Sequence, residues 1–128
     1  MNLTTTAPCK TILVVEDDAD IREVLRDVLE VEGFTVRTAD NGKVGLETLE
    51  EIGRPCLILL DLMMPVMNGL EFLAALRARS TPRSPPVVIV SAYSDIAREV
   101  SGAAGRLSKP IDLDDLFGFV HHHCCGSA

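Results

Sequence analysis

Short runs of apolar residues alternate along this chain with longer segments that have the periodicity of helices. The clearest runs are TILVV at 11–15, CLILL at 56–60 and PVVIV at 86–90. Because almost every position in them is apolar, strands formed by these runs must be buried on both faces of a sheet. Helices on both faces of a parallel sheet make a three-layer α/β fold. The alternation therefore restricts the chain to this fold class.

Between these runs, the sequence has the spacing of amphipathic helices. Within residues 20–32 the apolar side chains recur at i, i+3, i+4, i+7 and i+8, and Gly33 follows as a stop signal. Asp18 and Asp112 precede the first and the last helical segment, where a carboxylate caps a helix. The remaining predicted helices cover 41–52, 69–79, 95–101 and 112–124, and the remaining predicted strands cover 34–38 and 106–108. The pattern predicts five consecutive β–α units.

Length and charge limit what such a chain can do. Its 128 residues suit one domain, predicted at 11–124 between a flexible N-terminal lead at 1–10 and a C-terminal tail at 125–128. The net charge of −7 argues against a nucleic-acid surface, which needs clustered Lys and Arg. No apolar run approaches the roughly 20 residues that span a bilayer, and no secretory signal is visible. We expect a cytoplasmic protein that binds neither membranes nor nucleic acid directly.

The cysteines give no sign of a metal or redox motif. They stand at 9, 56, 124 and 125, without a CxxC pair. Cys56 opens an apolar run and is predicted to be a small buried core residue. Cys124 and Cys125 are adjacent, which is poor geometry for a disulfide between them, and we predict reduced thiols. The preceding histidines at 121–123 point about 100° apart on a helix, so a frayed helix end is favoured over a metal cluster.

Polar residues follow four of the predicted strands. Glu16 and Asp17 follow the first, Asp61 the third, Ser91 the fourth and Lys109 the fifth. In an open parallel sheet, the carboxyl ends of the strands form the ligand site. Clustered carboxylates need a cation, and oxygen ligands suit Mg²⁺. A carboxylate there can become a nucleophile that forms an acyl phosphate, while an amine and a hydroxyl bind phosphoryl oxygens.

These residues resemble the receiver domain of response regulators, over about residues 10–124. The matching motifs are LVVEDD at 13–18, DLMMPVMNG at 61–69, SA at 91–92 and SKP at 108–110. The resemblance implies a flavodoxin-like (βα)5 fold with a parallel five-stranded sheet of order 2-1-3-4-5. It also implies a signalling switch rather than a metabolic enzyme. Its partners would be a histidine kinase or phosphotransfer protein and a downstream protein that the sequence does not identify.

The resemblance assigns the phosphoacceptor and the metal ligands by position. Asp61 matches the phosphoacceptor and also a ligand of Mg²⁺. Asp17 matches the direct metal ligand, and Glu16 matches the acidic neighbour that reaches the metal through water. The backbone carbonyl of Met63 matches a further metal contact, for which the identity of the side chain does not matter.

The resemblance also assigns the groups that bind the phosphoryl oxygens. Ser91 matches the switch hydroxyl, and Lys109 matches the phosphate-binding lysine. Pro110 completes a Lys–Pro bond that is often cis in the family.

Two departures from the family pattern concern the output face, which the family builds from its fourth helix, fifth strand and fifth helix. Arg106 stands where the family usually has an aromatic switch residue. We expect its guanidinium to stay outward, because an unpaired buried charge is costly. Tyr93 either replaces the family's aromatic switch residue or only covers the pocket without a role in signalling. The predicted helix at 95–101 is short, at about two turns.

Because Met63 and Tyr93 orient water less well than Asn or Glu, we predict slow self-dephosphorylation.

Three other functions remain as alternatives. A pseudo-receiver, acting as a phosphorylation-independent protein-interaction module, is favoured by Arg106 and the short helix but opposed by the complete set of acidic, hydroxyl and lysine residues. A phosphatase with an aspartyl intermediate needs an acidic residue two positions after the nucleophile, where Met63 stands. Flavin binding needs a loop rich in Ser, Thr and Gly after the first strand, which has EDD instead.

Overall fold

The computed structural model describes residues 10–64, 66–79, 85–92 and 103–125. Five parallel strands form one sheet of order β2-β1-β3-β4-β5. The strands are β1 (Thr11–Val15), β2 (Thr35–Ala39), β3 (Leu57–Asp61), β4 (Val87–Ser91) and β5 (Gly105–Ser108). The helices in the described ranges are α1 (Ala19–Val31), α2 (Gly42–Ile52), α3 (Gly69–Ala78) and α4 (Leu113–Val120), and α4 passes into a π-helical turn at His121–Cys125. The predicted fold class and strand order are confirmed.

The sheet separates two apolar cores, because successive side chains of a strand point to opposite faces. On one face, Ile12 of β1 packs in a cluster with Leu25 of α1 and Leu116 of α4. On the other face, Leu13 packs in a cluster with residues of α2 and α3, among them Phe72. All five side chains are at most 2% exposed. The apolar runs are therefore buried on both sides, as predicted, and the helices form the two outer layers.

The helix ends agree with the signals in the sequence. Asp18 caps α1, and its carboxylate accepts hydrogen bonds from two backbone N–H groups of the first turn at 2.9 and 3.2 Å. Asp112 caps α4 in the same way through the N–H of Asp115 at 3.1 Å. Gly33 has φ of 96° and follows the C-cap of α1, a left-handed position that favours glycine. The predicted helix at 95–101 lies outside the described residues.

The prediction of reduced thiols is wrong for two of the cysteines. Cys56 and Cys124 form a disulfide, with Cα atoms 5.3 Å apart. Both are buried in the core cluster between the sheet and helices α1 and α4, which confirms Cys56 as a core residue. Spacing along the sequence cannot reveal this pair, because the fold brings together the start of β3 and the turn after α4. Within the described ranges, no helix is long and apolar enough to cross a bilayer.

Candidate functional site

The predicted acidic residues meet at the carboxyl edge of the sheet. β1 and β3 are neighbours, with Val15 paired to Leu60, so the residues that follow this pair leave the sheet side by side. One carboxylate oxygen from each of Glu16, Asp17 and Asp61 lies within 4.8 Å of the other two. The parallel topology thus places three acidic groups at one point, as the strand-end argument predicts.

Lys109 lies between two of these carboxylates. Its Nζ is 3.0 Å from Oε1 of Glu16 and 3.6 Å from Oδ1 of Asp61. The residue follows β5, and its backbone N–H donates to the carbonyl of Ser91 at 3.0 Å. The end of β4 therefore fixes the backbone from which the ammonium reaches the acidic cluster.

The surroundings of Asp61 make its negative charge unfavourable. Burial, reinforced by the charge of Glu16, raises the pKa of Asp61 to about 7, although the ammonium of Lys109 acts in the opposite direction. For Lys109, burial lowers the pKa, but the hydrogen bond and charge of Glu16, together with the charges of Asp61 and Asp17, outweigh burial and raise it. Three carboxylates against one ammonium leave an excess of negative charge, which a further cation would relieve.

Glu16 has a buried oxygen without a hydrogen-bond donor. The residue is 1% exposed. Its Oε2 accepts from the N–H of Asp18 at 3.1 Å and from Nζ of Lys109 at 3.2 Å. Its Oε1 is within ion-pair distance of the same Nζ, but within the described chain it has no partner in hydrogen-bond geometry. Such buried oxygens normally have a partner, and an oxygen-only donor set fits a hard cation such as Mg²⁺ or its bound water.

A cleft of about 250 Å³ opens over this cluster and is lined by Asp17, Asp18, Asp61, Met63, Ala92 and Lys109. The backbone N–H of Met63 lies 3.4 Å from Oδ1 of Asp61, at the outer limit of a hydrogen bond. Ser91 lies at the same edge and is buried. Five of the six residues predicted for phosphoryl and metal chemistry are thus in direct contact or line the cleft, and the sixth, Ser91, ends the adjacent strand.

The loop after Asp61 is held close to the sheet by a glycine. The N–H of Gly69 donates to the carbonyl of Leu62 at 3.0 Å. A Cβ at Gly69 would lie 2.5 Å from the carbonyl oxygen of Asp61 and 2.7 Å from Cα of Leu62. The glycine that ends the DLMMPVMNG motif is therefore required by a close backbone approach. In the same loop Val66 has φ of 68°, a left-handed conformation that is strained for a β-branched residue.

One residue of the site was missed by the sequence argument. Nη1 of Arg22, on α1, donates to the carbonyl of Glu16 at 2.9 Å and approaches that of Asp17 at 3.4 Å. Its position near the end of the first turn of the predicted helix is the feature of the sequence that could have indicated this contact. Side chains of a helix tilt toward its N-terminus, which here faces the acidic loop.

The residues predicted for the output face are only partly described. Arg106 is exposed, which agrees with the expectation that its guanidinium faces outward. It borders a groove of about 610 Å³ together with Asp114 and Asp115 of α4. Tyr93 lies outside the described residues. The Lys109–Pro110 bond is cis, as the family resemblance suggests.

Comparison with known proteins agrees with this geometry. The chain is 40% identical to DNA-binding response regulator MtrA of Mycobacterium tuberculosis, over 85% of this chain and 48% of MtrA. It is 33% identical to Regulatory protein AtoC of Escherichia coli, over 82% of this chain and 23% of AtoC. It thus spans less than half the length of these curated relatives.

Solved structures give the same picture. Response regulator TrrA of Thermotoga maritima, in complex with Mg²⁺-BeF, superposes with a TM-score of 0.77 at 32% identity, over 88% of this chain and 97% of TrrA. Residues 12–121 match the response regulator receiver domain family. The chain therefore belongs to the response regulator receiver domain family of two-component signalling.

Proposed function

We propose that this domain accepts a phosphoryl group on Asp61 from a phosphohistidine of a histidine kinase or phosphotransfer protein. The observation that carries the proposal is the cluster of Glu16, Asp17 and Asp61 within 4.8 Å, with the ammonium of Lys109 3.6 Å from Asp61. This arrangement combines a nucleophilic carboxylate with groups that bind oxygen anions. Acidic residues that served only to stabilise the fold would not need an open cleft above them.

In the proposed reaction, a carboxylate oxygen of Asp61 attacks the phosphorus. A P–O bond forms and the P–N bond breaks, while the electron pair of the P–N bond stays on the imidazole of the donor. Lys109 pairs with one phosphoryl oxygen, and the hydroxyl of Ser91 donates to another. Because the protein contributes mainly position and charge to phosphoryl transfer, these contacts are the main catalytic contribution of the chain.

The residues that would hold Mg²⁺ are Glu16, Asp17, Asp61 and the backbone carbonyl of Met63. The buried, unpartnered Oε1 of Glu16 and the excess of carboxylates support this set. TrrA, with the same fold, is known in complex with Mg²⁺-BeF. When bound, Mg²⁺ supplies positive charge that offsets the carboxylates and the incoming phosphoryl oxygens.

Phosphorylation then shifts a two-state equilibrium at the output face. This face comprises the segment 95–101, β5 and α4, and a downstream protein reads it. Arg106 on β5 is exposed there, so its change of contacts would differ from the inward rotation of an aromatic ring. We further propose that Tyr93 contributes to the signal and that self-dephosphorylation is slow.

A cytoplasmic location is part of the proposal. The Cys56–Cys124 disulfide bears on it, because disulfides are rare in cytosolic proteins. Lysis of the cells in denaturant with an alkylating reagent, which reaches the buried thiols before they can oxidise, followed by mass spectrometry of the purified protein, tests the location. Cys56 and Cys124 blocked by the reagent would support a reducing compartment.

The experiment for the function is intact mass spectrometry after incubation with Mg²⁺ and acetyl phosphate. One phosphoryl adduct is expected for the wild type, none for Asp61→Asn, and none in the presence of EDTA. Asp40→Asn is the matched control, because Asp40 follows β2 at the same edge but is exposed and lies outside the cluster. It should take up the adduct normally. A folded wild type without adduct would refute the phosphoacceptor function and favour the phosphorylation-independent interaction module.

A further inference from the structure

We propose that Arg22 is a positioning residue that fixes the Glu16–Asp17 backbone and thereby sets the affinity of the site for Mg²⁺. The inference rests on the proposed function, since it concerns the same acidic site. It goes beyond that function because it assigns a role to a basic side chain on α1 that binds neither the phosphoryl group nor the metal.

The contacts of Glu16 show what Arg22 adds. The backbone N–H of Glu16 donates to the carbonyl of Ala39 at 2.9 Å, which ties it to β2. Its carbonyl accepts from Nη1 of Arg22 at 2.9 Å, which ties it to α1. The peptide groups on the two sides of Glu16 are thus anchored to two different elements. Removing Arg22 leaves the loop attached to the sheet and, through Asp18, to the start of α1, but it removes the donor that holds the carbonyl of Glu16.

Asp17 depends more strongly on this anchor than Glu16 does. The carboxylate of Glu16 is buried and has its own donors in Asp18 and Lys109. Asp17 is exposed, and apart from its interaction with Asp61 the direction of its carboxylate depends on the backbone beneath it. Its carbonyl lies 3.4 Å from Nη1 of Arg22, the same donor that holds Glu16. A freed backbone would let the Asp17 carboxylate turn into solvent.

The contact also indicates a geometric role rather than charge neutralisation. The hydrogen bonds of Nη1 that the structure describes go to carbonyl oxygens, not to the carboxylates of the cluster. Groups that orient metal ligands without touching the metal typically affect metal affinity by about 10- to 100-fold. We therefore expect a loss at the lower end of this range, because only one of the ligands is released.

The test compares Mg²⁺ binding of the wild type, Arg22→Met and Arg26→Met by isothermal titration calorimetry. Arg26 lies one turn further along α1 and is partly exposed beside Asp27, so its replacement removes the same charge without touching the acidic loop. Arg22→Met should raise the Kd about tenfold, and Arg26→Met should leave it unchanged. Equal Kd values for Arg22→Met and the wild type would overturn the inference, as would an equal loss in both variants.

Two further measurements distinguish an effect of Arg22 on the geometry of the loop from an effect of its charge or of lost folding stability. At 0.5 M salt, where exposed charges are screened, the ratio of the two Kd values should persist; a ratio that falls to one would overturn the geometric role. With acetyl phosphate, Arg22→Met should raise the Mg²⁺ concentration that gives half the maximal phosphorylation rate, with the maximal rate retained. A lower maximal rate at an unchanged half-saturating concentration would contradict the inference.

If Arg22→Met does not fold, Arg22→Lys replaces it in the experiment. It keeps a charged donor group on a shorter reach, and we expect a smaller increase in Kd, about threefold. A wild type that forms no Mg²⁺-dependent adduct would refute the proposed function itself. A wild type that binds Mg²⁺ and is phosphorylated, with Arg22 variants of unchanged affinity, would refute only the role of Arg22.

Discussion

Replacing Asp61 by Asn should stabilise the metal-free protein, and the gain should grow with pH. Asp61 is 3% exposed, and its pKa is raised from 3.8 to about 7, first by burial and then by the charge of Glu16. Between these two values the folded protein holds a proton that the unfolded chain has released. The stability contributed by this proton is complete at pH values below about 4 and is lost as the pH rises through 7. Asn keeps the shape but never carries the charge.

The magnitude follows from the size of the shift. One pKa unit corresponds to 1.36 kcal/mol, so the full difference between Asn and Asp amounts to at most about 4 kcal/mol above pH 7. Between pH 5 and pH 7 the advantage of Asp61→Asn in the free energy of unfolding should grow by about 2 to 3 kcal/mol. Well below pH 4 the two proteins should be equally stable, because Asp61 is then protonated in both the folded and the unfolded state.

Urea unfolding in EDTA at pH 5, 6, 7 and 8 measures this difference, with Asp40→Asn as the control. Asp40 is exposed, so its replacement should change the stability by little at every pH. An advantage of Asp61→Asn that stays constant with pH would refute the reasoning, since only a titrating carboxyl makes it grow. An Asp61→Asn variant that is less stable than the wild type at pH 8 would refute it more directly.

Three further predictions concern the backbone and the covalent structure. Gly69→Ala should cost about 1 to 3 kcal/mol and slow phosphorylation by acetyl phosphate, because the new Cβ presses on the carbonyl of Asp61; unchanged urea midpoints would contradict this. Val66→Gly should raise the thermal midpoint, since relief of the left-handed strain contributes about 1 kcal/mol, and a lower midpoint would refute the strain. Reduction of the Cys56–Cys124 disulfide, which joins residues 68 apart, should lower the stability by about 4 kcal/mol, and equal urea midpoints with and without reductant would contradict it.

The sequence predicted the fold because the apolar runs have only one arrangement that buries them. Ile12 and Leu13 are both fully buried, on opposite faces of the sheet, so the absence of alternation was itself informative. Most of the predicted strands and helices begin within about one residue of the observed ones. The site was predictable for a related reason. Parallel strands all end at the same edge of the sheet, so Glu16, Asp17 and Asp61 meet there whatever path the chain takes after each strand.

The remaining features depend on tertiary contacts that have no local signal. Cys56 and Cys124 are far apart in sequence, and only the packing of α4 on the sheet brings them together. The reach of Arg22 to the carbonyl of Glu16 depends on the angle at which α1 leaves the acidic loop. Every residue has a backbone carbonyl, so the partner of a side chain that donates to carbonyls cannot be recognised from residue types in the sequence.

The disulfide divides the proposed phosphorylation site into two covalent parts. Asp61, Ser91 and Lys109 lie inside the ring that Cys56 and Cys124 close. Glu16 and Asp17 lie outside it, on the segment that carries β1 and α1. If that segment detaches in a partly unfolded state, the oxidised chain keeps Asp61, Ser91 and Lys109 tethered within one loop but loses the acidic pair. The proposed Mg²⁺ ligands would then part from one another before Asp61, Ser91 and Lys109 do.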